Sequence, residues 1–273
     1  RDVQLMRDGG ALIVKVTERP SIESFEVKGN KDIKTEDLQR SLNNVGLAPG
    51  KTFDQSVLDD VKRFMTEQYF SRGKYAVKID AKVEEVPGNR VRIAIDIVEG
   101  ARARIRQINV VGNTTYPDDE LLDAFKLKEP NLLSFYKQDD RYSKESLTGD
   151  LETLRSYYMD RGYIRFTQES TQVSMTPDKK GVYVTLNVKE GDQYKVSGIQ
   201  LKGDLIDRGG EMKGLIPIET GSIYSASQVT HTEEVLSKFL GRYGYAYPKV
   251  VTFPQVNDQT KEVELIVNIE PGP

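Results

Sequence analysis

The sequence has no cysteine, no tryptophan and a single histidine, His231, in 273 residues. Without cysteine there is neither a disulfide framework nor thiol chemistry, which fits an oxidising compartment without requiring one. Zinc sites built from Cys and His lack their ligands. His231 falls inside an expected helix between Thr230 and Thr232, the setting of a solvated residue and not of a general base. Acidic clusters at Asp59-Asp60 and Asp118-Asp119-Glu120 stand where helices are expected to begin, where they complement the helix dipole. No apolar run reaches the roughly 18 residues of a membrane-spanning helix. No charge of one sign dominates: Lys and Arg number 39, Asp and Glu 42. Nothing therefore favours a nucleic-acid partner. Gly46 to Thr52 has the look of a phosphate-binding loop, but three residues separate its glycines where four are needed, and it follows a helix, not a strand. No enzyme activity, cofactor or metal site is expected.

What the sequence does contain is a threefold repeat. Three glycines, Gly73, Gly162 and Gly244, each end a helical pattern, and each has an aromatic residue 20 positions earlier: Phe53, Tyr142 and Tyr224. A helix that stops on a left-handed residue favours glycine there. Between these landmarks the apolar face agrees: Leu58, Leu147 and Val229; Met65, Leu154 and Leu236; Tyr69, Tyr158 and Leu240. Upstream, Gly29-Asn30, Gly112-Asn113 and Gly203-Asp204 each close a short apolar strand. Downstream, each copy ends on Glu99-Gly100, Glu190-Gly191 or Glu270-Pro271-Gly272. Periods of 83 and 91 residues between the first two pairs of strand-closing glycines mean tandem small domains, not a solenoid of short repeats.

Each copy reads strand, helix, helix, strand, strand: an α+β unit with two helices on one face of a three-stranded mixed sheet. The expected domains are 20–100, 101–191 and 192–273, with residues 1–19 forming a terminal hairpin that resembles the last two strands of a truncated fourth copy. The abrupt start at Arg1 reads as a fragment of something longer. Thr35 and Asp54 are candidate helix N-caps in the first unit, and Ser225 with Gln228 a capping box in the third. The second unit carries a longer connector between its helices, with Leu132, Leu133, Phe135 and Tyr136 in the added segment. That segment either makes a contact surface or packs on its own domain.

These landmarks resemble POTRA domains. Gly149 to Gly162, Ser170 to Gly181, Glu190 to Tyr194 and Leu240 to Pro248 narrow the resemblance to the POTRA domains of the outer-membrane β-barrel assembly factors, over the whole chain. The resemblance implies the tail of a first POTRA domain followed by the second to fourth, with a fifth and a membrane β-barrel lying beyond the sequence. It implies a periplasmic scaffold of an outer-membrane protein. Its partners would be unfolded outer-membrane β-barrel proteins, periplasmic chaperones and accessory lipoproteins. A related possibility is a POTRA-type interaction module of a secretion-partner transporter or a cell-division protein.

A three-stranded sheet has two edges, and an edge offers unpaired N–H and C=O groups to an extended peptide. The strand after the second helix is the expected edge: Tyr75–Val83, Ile164–Met175 and Ala246–Val256. Pro248 and Pro254 interrupt the third of these. The favoured peptide-binding edge is therefore Ile164, Phe166, Gln168, Ser170, Gln172 and Ser174, followed by Tyr75, Val77 and Ile79. By the resemblance, Leu127, Lys128 and Asp178 stand where a propeller-shaped lipoprotein docks; Lys128 replaces an expected arginine, which puts fork-like pairing in doubt there.

Overall fold

The computed structural model describes residues 2–272; Arg1 and Pro273, the outer bounds of the expected hairpin and third domain, lie outside the described residues. Backbone contacts divide the chain into two compact units, one of 1–105 with 140–145 and 175–182, the other of 106–139, 146–174 and 183–273.

A hairpin of β1 (Asp2–Asp8) and β2 (Ala11–Thr17) forms a two-stranded antiparallel sheet. The first repeat follows as β3 (Ser21–Lys28), α1 (Thr35–Asn44), α2 (Gln55–Ser71), β4 (Lys78–Val86) and β5 (Arg90–Val98). The second is β6 (Arg104–Val111), α3 (Asp118–Asp123), a four-residue α4 (Ser134–Lys137) in the added connector, α5 (Lys144–Met159), β7 (Thr167–Met175) and β8 (Gly181–Lys189). The third is β9 (Lys195–Gly203), α6 (Gly209–Gly214), α7 (Ala226–Arg242), β10 (Lys249–Asn257) and β11 (Glu262–Glu270).

In every repeat the last strand lies in the middle, with orders β3-β5-β4, β6-β8-β7 and β10-β11-β9. The first strand runs parallel to it in repeats one and three, and the strand after the second helix antiparallel. Those two sheets are thus mixed, and in every repeat the two edges differ in origin. Strand β5 alternates buried Val91, Ile93, Ile95 and Ile97 with more exposed residues. The buried set packs with Leu58, Val61, Met65 and Tyr69 of α2, so that helices cover one face and water the other.

The strand-closing glycines are a steric requirement. Gly29, Gly112 and Gly203 have φ of 85°, 95° and 91°, and a Cβ on each would be driven into the carbonyl oxygen of Ile97, Val188 or Ile269 on the central strand. The terminal glutamates have a buried job. Glu99 accepts from Tyr69 Oη (2.9 Å), the Asp32 N–H (2.8 Å) and Lys74 Nζ (2.7 Å). Glu190 accepts from Tyr158 Oη (2.8 Å), Thr114 Oγ1 (2.6 Å) and the Thr115 N–H (3.1 Å). Burial pushes the Glu190 carboxyl up, but the bonds from Thr114, Tyr158 and the backbone outweigh it and hold the pKa down to about 2. In repeats one and two the carboxylate thereby ties the end of the central strand to the second helix and to the loop after the first strand.

The caps differ in detail from expectation. Asp54 accepts from the Ser56 N–H (3.0 Å) and Ser225 from the Gln228 N–H (3.4 Å). Thr35, by contrast, is the first residue of α1; Lys34 precedes it without a side-chain cap, and Thr35 Oγ1 accepts instead from Asn30 Nδ2 (3.0 Å).

Candidate functional site: the sheet edges

The chain itself closes the first-strand edges, along β6 in repeat two but only at the start of β3 and β9. In repeat one the Ile22 N–H donates to Lys51 O (2.8 Å) and the Gly50 N–H to Ile22 O (2.7 Å). Repeat three repeats the pattern, from Val196 to Ser222 O (2.8 Å) and from Gly221 to Val196 O (2.7 Å). In repeat two, Ile105 donates to Asp140 O (2.6 Å), Ile108 to Glu129 Oε1 (2.9 Å) and Val110 to Asp118 Oδ2 (3.2 Å). These carboxylates satisfy the outward groups that an added strand would use.

The opposite edges are treated unequally. On β10, Glu233 of α7 accepts from the Thr252 N–H (2.6 Å). Pro254 lies two residues on, so its missing N–H falls on the same outward side. Strand β4 has Lys78, Asp80, Lys82, Glu84 and Glu85 along it, the charge dressing that discourages edge pairing. Strand β7 has one charged residue, Glu169, and no proline. Among the described residues no connector or side chain bonds to the outward backbone of β4 or β7.

Both edge strands start three residues later than expected, which moves four of the candidate residues off the edge. After the helix-stop glycine the chain first makes a turn, with Val77 N–H to Lys74 O (3.3 Å) and Phe166 N–H to Tyr163 O (3.0 Å). That turn seats the next repeat: the Ala103 N–H donates to Gly73 O (2.8 Å), and the Tyr194 N–H to Gly162 O (2.9 Å). Tyr75 stacks on Tyr142 with ring centroids 5.9 Å apart, and Val77 packs on the core of repeat one. Ile164 packs against the repeat-three cluster of Val196, Ile218, Tyr224, Val263 and Leu265. Phe166 is buried and stacked on Tyr158 at 4.3 Å. These are joint and core residues. Gln168, Ser170, Gln172 and Ser174 do lie on β7, all exposed, and at even positions they share one face. Ile79 lies on β4 opposite Ile97 and is half-buried.

The expected docking residues also divide. Leu127 is buried, because Asp150 of α5 accepts both the Lys126 N–H (2.7 Å) and the Leu127 N–H (2.9 Å) and pins this segment inward. Burial raises the Asp150 pKa against the pull of those two bonds. Lys128 turns its ammonium back onto the end of α3, donating to Leu122 O (2.8 Å) and Asp123 O. Asp178 is exposed in the β7–β8 turn and accepts from Thr176 Oγ1 (2.6 Å) and the Lys180 N–H (3.1 Å). Neither the Asp150 pin nor the carboxylate caps on β6 was anticipated; an acidic residue on the inward face of α5 was the available signal for the first.

The fold and its edges define a class: two-layer α+β modules repeated in tandem along the sequence. A family model described as POTRA, surface antigen variable number repeat, matches residues 20–100, 103–191 and 194–272, and the chain belongs to that family. Among curated relatives, the outer membrane protein assembly factor BamA of Neisseria meningitidis serogroup B is 29% identical over 272 residues, 99% of this chain and 34% of that protein. BamA of Buchnera aphidicola subsp. Acyrthosiphon pisum is 29% identical over 275 residues, 98% of this chain and 44% of that one. The chain thus spans about a third to less than half of the length of these relatives. Among solved structures, Haemophilus influenzae BamA POTRA3-5 superposes with a TM-score of 0.51 at 17% identity, covering 92% of this chain and 96% of that one, which is a likeness of fold.

Proposed function

We propose that this chain is the periplasmic, client-handling part of an outer-membrane protein assembly factor, built of modules at 20–100, 101–191 and 192–273. It binds unfolded β-barrel precursors by strand addition to β7 first and β4 second, receives them from periplasmic chaperones, and carries docking surfaces for accessory lipoproteins. The relatives named above are outer membrane protein assembly factors, which supports the setting. The single observation that carries the mechanism is the uncapped, proline-free, nearly uncharged edge of β7. Each backbone bond to a guest strand contributes only about 0.5–1.5 kcal/mol net. A few such bonds give weak, sequence-tolerant binding, which suits a client that must be released. For lipoprotein docking the exposed Asp178 is the first candidate, with Lys128 beside it in rank; Leu127 serves from the interior by holding the loop.

The test is an amide-shift titration of the chain with strand-forming peptides from β-barrel proteins. The expected result is weak, saturable shifts along Gln168–Ser174, smaller ones along β4 and none along β10. An intact spectrum with no change on β7 would sink the proposal.

A further inference from the structure

The connector segment 129–139 sets repeat two apart from the other repeats. Its base is closed by the Lys128 N–H donating to Asp139 O (2.9 Å). Inside it much of the backbone is bonded within the segment. Asn131 Oδ1 accepts from the Leu133 N–H (2.8 Å), and Ser134 Oγ, on a buried residue, accepts from the Asn131 N–H (3.1 Å). The Ser134 N–H donates to Asn131 O (3.1 Å), those of Tyr136 and Lys137 to Leu133 O (2.9 Å each), and that of Gln138 to Ser134 O (2.8 Å). From this ordered frame Leu132, Leu133 and Tyr136 project into solvent at 100%, 59% and 90% exposure. The side chain of Phe135 lies outside the described residues. The sequence had left open whether these apolar residues pack on their own domain; the three described do not.

We propose that this tip inserts into a phospholipid surface, with Leu132 and Leu133 entering the boundary between headgroups and acyl chains and Tyr136 and Lys137 resting at headgroup level. Three features favour a bilayer over a protein pocket. The tip is led by exposed aliphatic side chains, Leu132 fully so, which a deformable phase accepts without a complementary cavity. The N–H groups of Asn131, Leu133, Ser134, Tyr136, Lys137 and Gln138 are bonded internally, which lowers the cost of that backbone leaving water. Its one charged residue between 131 and 137 is the cation Lys137, matched to lipid phosphates, and Tyr and Lys both place a polar end above an apolar stem. The inference does not depend on strand addition at β7.

The absence of tryptophan supplies the probe. In the whole chain, Tyr136→Trp places a single indole on the tip, and Tyr247→Trp, at a site 81% exposed in repeat three, places one away from it. Vesicles of phosphatidylethanolamine and phosphatidylglycerol should shift the emission of the first variant to the blue and leave the second unchanged, and brominated lipid should quench only the first. Adding Leu132→Asp and Leu133→Asp to the first variant should lower the fraction floating with vesicles by roughly tenfold or more. Both leucines are exposed, so circular dichroism should be unaltered. Emission unchanged by vesicles, or shifted equally in both variants, overturns the proposal. So does a shift produced only by β-barrel peptides, which would assign the tip to a protein partner.

Discussion

Strands β7 and β10 occupy the same place in two copies of one fold, yet they offer a guest strand different things. Each follows the long second helix, pairs with the central strand and forms an outer edge. On β10 the Thr252 N–H is already engaged by Glu233, and Pro254 has no N–H to offer. On β7 nothing among the described residues bonds to the corresponding groups, and the strand is a run of Thr, Gln, Ser, Val and Met broken by one glutamate. Strand β4 lies between the two, with an open backbone behind a fence of Lys, Asp and Glu. A repeated fold therefore presents its edge three times, and side chains set how much of the backbone each copy leaves open. On the proposed reading, function in such an array lies in what is left unguarded, not in the shared architecture.

The harshest way to break the comparison is to remove the sheet beneath β7. Gly112→Ala drives a methyl group into Val188 O at a φ of 95°, which should cost about 3 kcal/mol or more. Urea unfolding should show repeat two melting early, with peptide binding at β7 lost and the amide shifts of β10 unmoved. An equally stable variant would mean that the strand-closing glycines are not sterically fixed. Acid should act next. The Glu190 pKa is about 2 in the fold against an ordinary 4.5, so its contribution is complete above the ordinary value and disappears as pH falls toward 2. Over that window repeat two should lose about 3 kcal/mol of stability, and Glu190→Gln should flatten the dependence. Unfolding curves that do not change between pH 5 and 2 would exclude the lock.

The array, the mixed sheets and the helix stops were legible in the sequence because each is fixed by local chemistry that recurs three times: a glycine at positive φ, an apolar helical face, an alternating strand. The exact entry to each edge strand was not, because alternation cannot separate an edge residue from a turn residue packed on the next module. Tyr75, Ile164 and Phe166 are apolar in the right rhythm, but they serve the joints and the core. Leu127 shows the same limit: its burial depends on Asp150, 23 residues away, reaching two backbone N–H groups. The guard on β10 was half visible, through its prolines, while the Glu233 cap required the helix to be placed over the strand.

Two smaller changes sharpen the contrast by exchanging the guards. Ser170→Lys with Gln172→Lys gives β7 the kind of charge that β4 carries, at exposed positions away from the core. Peptide affinity at β7 should fall by roughly threefold to tenfold, about 1 kcal/mol, with thermal stability unchanged. The converse, Pro254→Val with Glu233→Ala, restores one outward donor on β10 and frees another at Thr252. Two recovered bonds at about 0.5–1.5 kcal/mol each are near the threshold of measurable binding. The expected outcome is the appearance of small, saturable shifts along Val250–Val256 with the same peptides that bind β7. If β10 stays silent while its sheet remains folded, an open backbone edge is not sufficient, and the side-chain face shared by Gln168, Ser170, Gln172 and Ser174 must contribute recognition of its own.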